Sequence, residues 1–414
     1  MQHRALLLEN IHPGAVKNLE AAGFEVETRK GALDEDELIA ALDGVHVLGI
    51  RSKTEVTRRV LASSDSLLAV GAFSIGTNQI DLAAAAERGV VAFNAPFSNT
   101  RSVVELAIAE IISLTRRMTE RDKSLHAGVW EKSATGSHEV RGRTLGIIGY
   151  GNIGSQLSVL AENLGMSVVF YDLQERLALG NARRAETLEE LLAASDIVTL
   201  HVDGRSGNAG LFGAEHFAAM RPGAIFLNLS RGFVVDVEAL RDNIVSGHLA
   251  GAAIDVFPTE PKKAGEQFDS PLRGLPNVIL TPHVGGSTEE AQENIGQFVS
   301  KKLRDYITTG STMLSVNLPN LQLEQTGVAG RIALLHRNVP GVLARVNQIF
   351  ADHGANIEGQ MLATKGDLGY VVTDISDVTE RGSSKFLMEM ETTVRLRIND
   401  QFERPEFPPG PAAK

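Results

Sequence analysis

The sequence predicts an α/β fold with two doubly wound parallel-sheet domains and a small α+β domain of βαββαβ order. Three observations lead to this prediction. Strands and helices alternate over residues 5–93, they alternate again over 144–283, and a shorter mixed block covers 331–398. Regular alternation indicates parallel strands with helices on both faces of the sheet. At roughly 150 residues per domain, a chain of 414 residues holds two or three domains.

The first block contains five short apolar segments that are typical of strands. They lie at 5–8, around Val26, and at 45–50, 67–71 and 90–93, with helical patterns at 34–42 and 79–88. Turn-forming residues at 94–100 end the alternation. A long helix is predicted over 102–117, where apolar residues recur at helical spacing.

The second block has the strand content of a complete nucleotide-binding domain. Its six predicted strands lie at 144–148, 167–171, 197–200, 224–229, 251–256 and 278–281. Such a sheet binds its ligands beyond the carboxyl ends of the strands. We therefore expect the functional residues of this block at those ends.

The rest of the chain is predicted to hold a helix at 288–306, a linker at 310–326 and the small α+β domain. That domain has predicted strands at 331–336, 357–364, 369–375 and 393–398, and predicted helices at 340–353 and 383–391. Residues 404–414 include four prolines, so we expect a disordered tail over 401–414.

Composition excludes several classes of protein. The chain has no cysteine, which excludes disulfide scaffolds, cysteine-ligated zinc, iron–sulfur clusters and thiol nucleophiles, and no metal site is expected. The formal net charge of −11 disfavours general binding to nucleic acid or to an anionic membrane. Apolar runs are too short for a membrane span or a signal-peptide core. We therefore expect a cytoplasmic protein.

A glycine-rich turn marks a dinucleotide site. Gly149, Gly151 and Gly154 follow the strand at 144–148 and open a helix, and Asp172 ends the next strand, 23 residues after Gly149. The first glycine permits the tight turn, the second lets the backbone approach a pyrophosphate, and the third lets helix and strand pack closely. Asp172 would accept hydrogen bonds from ribose hydroxyls and repel a 2′-phosphate, so NAD is favoured over NADP.

Polar residues follow other strands of this block at the same edge. His201, Arg231 and His283 each come after a strand, and Asp255 ends another, with Glu260 shortly behind it. An Arg, a Glu and a His beside NAD suggest hydride transfer at a carbon that bears a hydroxyl. His283 would accept the hydroxyl proton, Glu260 would stabilise the protonated imidazole, and Arg231 would bind a substrate carboxylate.

Each of these residues also has an ordinary interpretation. His283 is one of 11 histidines, Arg231 could cap a turn, and Glu260 could be a solvated charge. Their shared position at the carboxyl edge of the sheet favours the catalytic interpretation.

At these residues the sequence resembles the D-isomer-specific 2-hydroxy acid dehydrogenases, and within them the members that act on 3-phosphoglycerate. The resemblance extends to about residue 399. It is carried by ordered motifs at 50–52, 76–80, 94–102, 146–154, 229–232, 255–261 and 281–288.

The resemblance implies a set of site residues. The implied catalytic residues are Arg231, Glu260 and His283. Together with the glycine motif and His201, the NAD-binding set is Gly149, Gly151, Asn152, Ile153, Gly154, Asp172, His201, Leu229, Ser230, Arg231, Asp255, His283, Val284, Gly285 and Gly286. The substrate-facing residues are Arg51, Ser52 and Asn99, with Lys132 and Lys53 either as further ligands of an anionic substrate or as ordinary solvated charges.

The resemblance also implies three domains. A discontinuous substrate domain would comprise 1–98 and 286–327, a Rossmann NAD domain 99–285, and an ACT-like regulatory domain 328–400. ACT domains pair across subunits and hold amino-acid effectors. His336, Asn338 and Asn356 match serine-binding positions, although the domain could instead serve dimerisation alone.

The implied activity is the NAD-dependent oxidation of D-3-phosphoglycerate to 3-phosphohydroxypyruvate, the first step of phosphorylated L-serine biosynthesis, with feedback inhibition by L-serine. The implied assembly is a homotetramer formed through the NAD and ACT-like domains, with no nucleic-acid or membrane partner. Two alternatives stay open. One is a dehydrogenase of another D-2-hydroxy acid such as 2-hydroxyglutarate, and the other is an NAD-sensing binding protein without activity.

Overall fold

A computed structural model of the chain describes residues 2–261, 265–324, 330–376 and 381–399. Contacts between residues group the chain into two units. The first unit comprises Met1–Pro96 and Glu293–Lys414, and the second comprises Phe97–Gln292. The predicted domain boundaries near 98, 285 and 327 stay a prediction. The predicted disordered tail at 401–414 lies outside the described residues.

The first unit begins with the predicted parallel sheet. Its strands lie in the order β2-β1-β3-β4-β5. The elements are β1 Arg4–Leu7, α1 Pro13–Glu20, β2 Glu25–Thr28, α2 Glu35–Ala41, β3 Val47–Ile50, α3 Arg58–Ser63, β4 Ala69–Ala72, α4 Leu82–Glu87 and β5 Val91–Phe93. Helix α2 begins where the sequence predicts it, because the Asp34 side chain accepts from the Glu37 amide in a capping box.

The second unit contains a seven-stranded parallel sheet of order β12-β11-β10-β9-β6-β7-β8. Its helices are α5 Thr100–Thr115, α6 Met118–His126, α7 Asn152–Asn163, α8 Leu188–Ala194, α9 Ala214–Ala219 and α10 Val237–Val245. Its strands are β6 Thr144–Ile148, β7 Ser167–Tyr171, β8 Arg183–Arg184, β9 Ile197–Leu200, β10 Ala224–Asn228, β11 Leu249–Ile254 and β12 Val278–Leu280. All six predicted strands are present.

Two details of the second unit differ from the sequence prediction. The edge strand β8 is a seventh strand, and its two exposed arginines carry no apolar pattern that could have revealed it. The helix predicted over 102–117 ends at Thr115 and a new helix starts at Met118, because Arg117 adopts a left-handed backbone with φ 53°. Left-handed residues interrupt a right-handed helix.

The C-terminal part of the chain forms a long helix followed by an antiparallel sheet of order β14-β15-β13-β16. The elements are α11 Glu289–Thr309, β13 Gly330–Arg337, α12 Val342–Asp352, β14 Ile357–Lys365, β15 Leu368–Ile375, α13 Arg381–Met388 and β16 Thr393–Asn399. This is the predicted βαββαβ order. None of the helices in the described ranges is long and apolar enough to cross a membrane.

Both faces of the first parallel sheet are covered within the first unit. Leu7 and its neighbours on one face pack with Val299 and Leu303 of α11, whereas Leu6 and its neighbours on the other face pack with Leu61 of α3. Because successive strand residues point to opposite faces, a strand buried on both sides is apolar throughout. This is why β3, β4, β5 and the part of β1 that follows Arg4 appear in the sequence as unbroken apolar runs.

The C-terminal sheet is also packed on both faces within this unit. Its Ile332 and Leu334 lie against α12, while Ala333 and Leu335 join the core that contains α11. The Arg395 guanidinium donates to the carbonyls of Leu67 and Asp65 at 2.7 and 2.8 Å. The predicted linker is also held in place, because the Asn317 amide bonds the Val90 carbonyl and the Ala92 amide beside β5.

Candidate active site

The turn between β6 and α7 has the geometry of a dinucleotide site. Gly149 has φ 91°, and a Cβ at this residue would lie 2.7 Å from the His201 carbonyl oxygen. At Gly154, a Cβ would lie 2.4 Å from the Gly149 oxygen. A Cβ at Gly151 would meet no atom within 4 Å, so the backbone there is open to a ligand. Helix α7 opens with Asn152 and Ile153 and has no side-chain cap, which suits a pyrophosphate.

Asp172 is held at the end of β7 by backbone donors. Its carboxylate accepts from the amides of Tyr150 and Gln174, both at 2.8 Å, and Arg176 lies 3.6 Å away. The carboxylate is therefore fixed beside the glycine turn. A fixed carboxylate at this position can accept hydrogen bonds from ribose hydroxyls, and it repels the 2′-phosphate of NADP. The residues present therefore fit NAD.

Asp255 organises the segment that follows β12. Its Oδ1 accepts from the Thr281 hydroxyl at 2.6 Å and from the Val284 amide at 2.9 Å, and its Oδ2 accepts from the Gly285 amide at 2.9 Å. The side chain is buried. His283 lies inside the turn so formed and has a left-handed φ of 55°, so the backbone that carries its imidazole is fixed at a strained position.

His283 and Glu260 form a hydrogen-bonded pair. The imidazole Nδ1 lies 2.9 Å from Glu260 Oε2, and Glu260 Oε1 accepts from the Phe257 amide at 3.1 Å. The hydrogen bond to Glu260 raises the pKa of His283, although burial opposes it. For Glu260, burial disfavours the charge, but the bonds from His283 and Phe257 outweigh it and lower the pKa. A carboxylate can only accept, so Nδ1 carries the hydrogen and Nε2 is the proton acceptor.

Arg231 lies in a turn that is built against the Glu260 segment. Asn228 Oδ1 accepts from the Ser230 amide and hydroxyl, and its Nδ2 donates to the Arg231 carbonyl at 3.1 Å. A Cβ at Gly232 would lie 1.9 Å from the Phe257 carbonyl carbon, so only glycine permits this approach. The backbone that carries Arg231 is thus packed on the backbone that supports Glu260. Leu229, just before this turn, is buried.

Gly285 and Gly286 lie where side chains would collide with the site. A Cβ at Gly285 would be 2.9 Å from Asp255 Oδ2, and one at Gly286 would be 2.1 Å from Asn99 Nδ2. Asn99 Oδ1 is buried and has no hydrogen-bond partner among the described residues. His201 is also held close to the cofactor turn, and burial lowers the pKa of its imidazole to about 3, so it is neutral.

The other predicted substrate residues lie elsewhere in the chain. Arg51, Ser52 and Lys53 follow β3 in the first unit, where their amides donate to the Glu9 carboxylate. Lys132 is exposed on the segment between α6 and β6. Their contact with substrate stays a prediction.

The three predicted effector residues do not lie together within one chain. His336 pairs with Gly369, next to the turn at Gly366 that accepts from Asn338. Asn356 lies at the other end of β15, where its carbonyl accepts from the Ser376 amide. At about 3.3 Å per strand residue, the two ends of β15 are about 23 Å apart.

Comparisons with known proteins agree with this geometry. Residues 108–285 match the family model of the D-isomer specific 2-hydroxyacid dehydrogenase NAD binding domain, and residues 332–393 match the AHAS small subunit-like ACT domain. The chain is 49% identical over 397 residues to the D-3-phosphoglycerate dehydrogenase of Escherichia coli K12, covering 95% of this chain and 96% of that one. The chain belongs to the D-3-phosphoglycerate dehydrogenase family.

A further relative supports membership of this family, and a solved structure shows a similar fold. The D-3-phosphoglycerate dehydrogenase of Dictyostelium discoideum is 46% identical over 395 residues, which is 95% of this chain and 97% of that one. Among solved structures, D-2-hydroxyisocaproate dehydrogenase is 27% identical with a TM-score of 0.69, covering 76% of this chain and 99% of that one. The predictions of an NAD-dependent dehydrogenase of this family and of an ACT domain are confirmed.

Some residues that shape the site in this family member were missed by the sequence analysis. Asn228 is the last residue of the buried strand β10, and a polar side chain at that position could have identified it. Glu110 of α5 is 2% exposed, and neither carboxyl oxygen has a hydrogen-bond partner among the described residues. Burial, helped by the charge of Asp255, raises the pKa of Glu110 to about 8. Its place on the helix face of Ala107, Ile111 and Leu114 was the available signal.

We expect replacement of Glu110 by Met to stabilise the protein in a pH-dependent way. A carboxyl whose pKa is raised in the folded chain binds a proton on folding, so the folded state loses stability as the pH rises from 4.5 to about 8. At pH 8, the free energy of unfolding of Glu110→Met should therefore exceed that of the wild type by on the order of 4 kcal/mol. At pH 5 the two free energies of unfolding should differ little. Urea unfolding at both pH values measures the difference.

The matched control is Glu105→Met, which changes an exposed carboxylate of the same helix that pairs with Arg101. Its difference from the wild type should not grow with pH. Equal pH dependence of the wild type and Glu110→Met would contradict the buried, protonated state of Glu110.

Proposed function

We propose that the chain oxidises D-3-phosphoglycerate to 3-phosphohydroxypyruvate with NAD, as the first step of phosphorylated L-serine biosynthesis in the cytoplasm. The observation that carries this proposal is the His283–Glu260 hydrogen bond, 2.9 Å long, in the turn that Asp255 organises. Relatives that are 46–49% identical over nearly the whole chain carry the name of this activity.

Three residues of the second unit have separate proposed roles in the reaction. NAD bound at the glycine turn would supply the acceptor for the hydride from C2 of the substrate. His283 Nε2 accepts the proton of the C2 hydroxyl, and the Glu260 carboxylate stabilises the imidazolium that results. The Arg231 guanidinium has five donors, of which one bonds the Ser230 carbonyl at 2.7 Å, and it would hold the substrate carboxylate. Arg51, Ser52, Asn99 and Lys132 are proposed as the remaining substrate contacts.

An NADH-linked assay tests this activity. We expect reduction of 3-phosphohydroxypyruvate to exceed reduction of 2-oxoglutarate, and His283→Ala to lower kcat at least about a hundredfold because the proton acceptor is lost. His138→Ala, which removes an exposed histidine of the same unit, is the control. Equal or faster turnover of 2-oxoglutarate would favour a dehydrogenase of 2-hydroxyglutarate. An unchanged kcat in His283→Ala would contradict the role of His283 as proton acceptor.

The pH profile of oxidation tests the His283–Glu260 pair. A general base works in its neutral form, so kcat/KM falls as the pH drops through the pKa of His283. Because Glu260 raises that pKa, Glu260→Gln should move the acidic limb of the profile to lower pH and reduce the plateau. Glu215→Gln, an exposed change in α9, should leave the limb in place. If the acidic limb does not move in Glu260→Gln, Glu260 does not influence the proton transfer.

We also propose a homotetramer that is formed through the NAD and ACT domains. In the second unit, Trp130 is 79% exposed, and Leu125 and Val129 are more than half exposed beside it. In the C-terminal sheet, β14 is an edge strand with the exposed apolar residues Met361 and Leu362. Exposed apolar surface of this kind is typical of subunit contacts.

L-Serine is the proposed effector of the ACT domain. His336 is buried, and its Nε2 has no hydrogen-bond partner in the described part of the chain. Asn amides can both donate to a carboxylate and accept from an ammonium group, so Asn338 and Asn356 suit an amino acid. Because these two residues lie at opposite ends of β15, a site that uses both requires a second copy of the domain.

Serine titration tests this regulation. We expect serine to lower the rate of the wild type, and Asn338→Ala to raise the half-inhibiting concentration at least about tenfold by removing one hydrogen-bonding amide. Gln348→Ala, an exposed change in α12 of the same domain, should be inhibited by serine at the same concentrations as the wild type. If serine does not change the rate of the wild type, dimerisation becomes the favoured role of the ACT domain.

A further inference from the structure

A carboxylate lies beneath the loop that carries Arg51. Glu9, just after β1, accepts from four successive backbone amides: Oε1 from Arg51 and Thr54 at 3.2 and 2.9 Å, and Oε2 from Ser52 and Lys53 at 3.1 and 3.0 Å. Glu9 is 8% exposed. A carboxylate offers about four lone-pair sites, so one side chain satisfies all four donors.

Successive amides that point to one place form a concave site for an anion. Here that site is filled from within the chain, since β1 and β3 are neighbours and Leu7 pairs with Gly49. Both strands end at the carboxyl edge of the sheet, where ligands of such folds bind. The 51–54 loop therefore owes its shape to an acidic residue that the sequence places 42 positions earlier.

Two other features hold this arrangement. Glu9 and Asn10 both adopt left-handed backbone, with φ 61° and 54°. Residues other than glycine rarely do so, and such positions persist only where the surrounding structure enforces them. From the opposite side, the Gln79 amide donates to the Arg51 carbonyl. The backbone of Arg51 is thus held through both its amide and its carbonyl.

We propose that Glu9 is a positioning residue for phosphate selectivity: it shapes the 51–54 loop so that Arg51, Ser52 and Lys53 bind the substrate phosphate. This inference rests on the proposed function. The phosphate is assigned to these side chains because the loop presents two cations and a hydroxyl at the carboxyl edge of the first sheet. Since Glu9 already occupies the amide cradle, the phosphate contacts the side chains of the loop.

The test compares 3-phosphohydroxypyruvate with hydroxypyruvate, which lacks the phosphate. Glu9→Gln keeps the size of the side chain but supplies one acceptor oxygen and a competing donor. We expect the KM for 3-phosphohydroxypyruvate to rise at least about tenfold, while kcat and the KM for NADH stay within about threefold. The preference for the phosphorylated substrate should fall by the same factor. Glu27→Gln, a matched change on exposed β2, should behave as the wild type.

Anion rescue provides a second measurement. In Glu9→Ala the amide cradle is vacant, so formate should bind there and lower the KM for 3-phosphohydroxypyruvate towards the wild-type value. An unchanged substrate preference in Glu9→Gln would overturn the proposal. So would a loss of folding in both variants that formate does not reverse, since Glu9 would then serve the fold alone. A wild type that is inactive on 3-phosphohydroxypyruvate would instead refute the proposed function.

Discussion

The carboxylate of Asp255 is the interaction on which the active-site geometry depends. It ties the end of β11 to the turn after β12 through three donors, from Thr281, Val284 and Gly285. His283 lies inside this turn, and its backbone conformation is unfavourable unless the turn is enforced. The position of the imidazole against Glu260 follows from the turn, so a buried carboxylate determines where the proposed proton acceptor lies.

Internal carboxylates with backbone donors recur in this chain. Glu9 beneath the 51–54 loop, Asp172 at the cofactor turn and Asp255 each accept from main-chain amides. Such bonds are charge-assisted and stronger than neutral ones. The negative charge of these carboxylates shapes loops through backbone amides, and in the 51–54 loop this leaves the side chains of Arg51 and Lys53 available to an anionic ligand. A net charge of −11 is therefore compatible with a phosphorylated substrate. Glu110 is the exception, since no donor among the described residues reaches its carboxyl group and burial raises its pKa.

Prediction succeeded where local pattern and physics coincide. Apart from the edge strands β2 and β8, the strands of both parallel sheets are apolar because they are buried between packed layers, and burial makes them visible in the sequence. The glycine turn was predictable because each glycine has a steric reason, which the contacts around Gly149 and Gly154 confirm. The two-residue strand β8 and the break at Arg117 were not predictable, since an edge pairing and a single left-handed residue leave no periodic signal.

The sequence by itself determined the fold class, the family and the list of residues at the carboxyl ends of the strands. Only the tertiary structure decided which of them act together: that Glu260 bonds Nδ1 of His283, that Glu9 holds a loop 42 residues away, and that Asn356 lies far from Asn338 along β15. The physical reason is that apolar periodicity reports burial, which is local. Hydrogen bonds between distant segments depend on strand order and turn geometry, and those are set by the packing of the whole sheet.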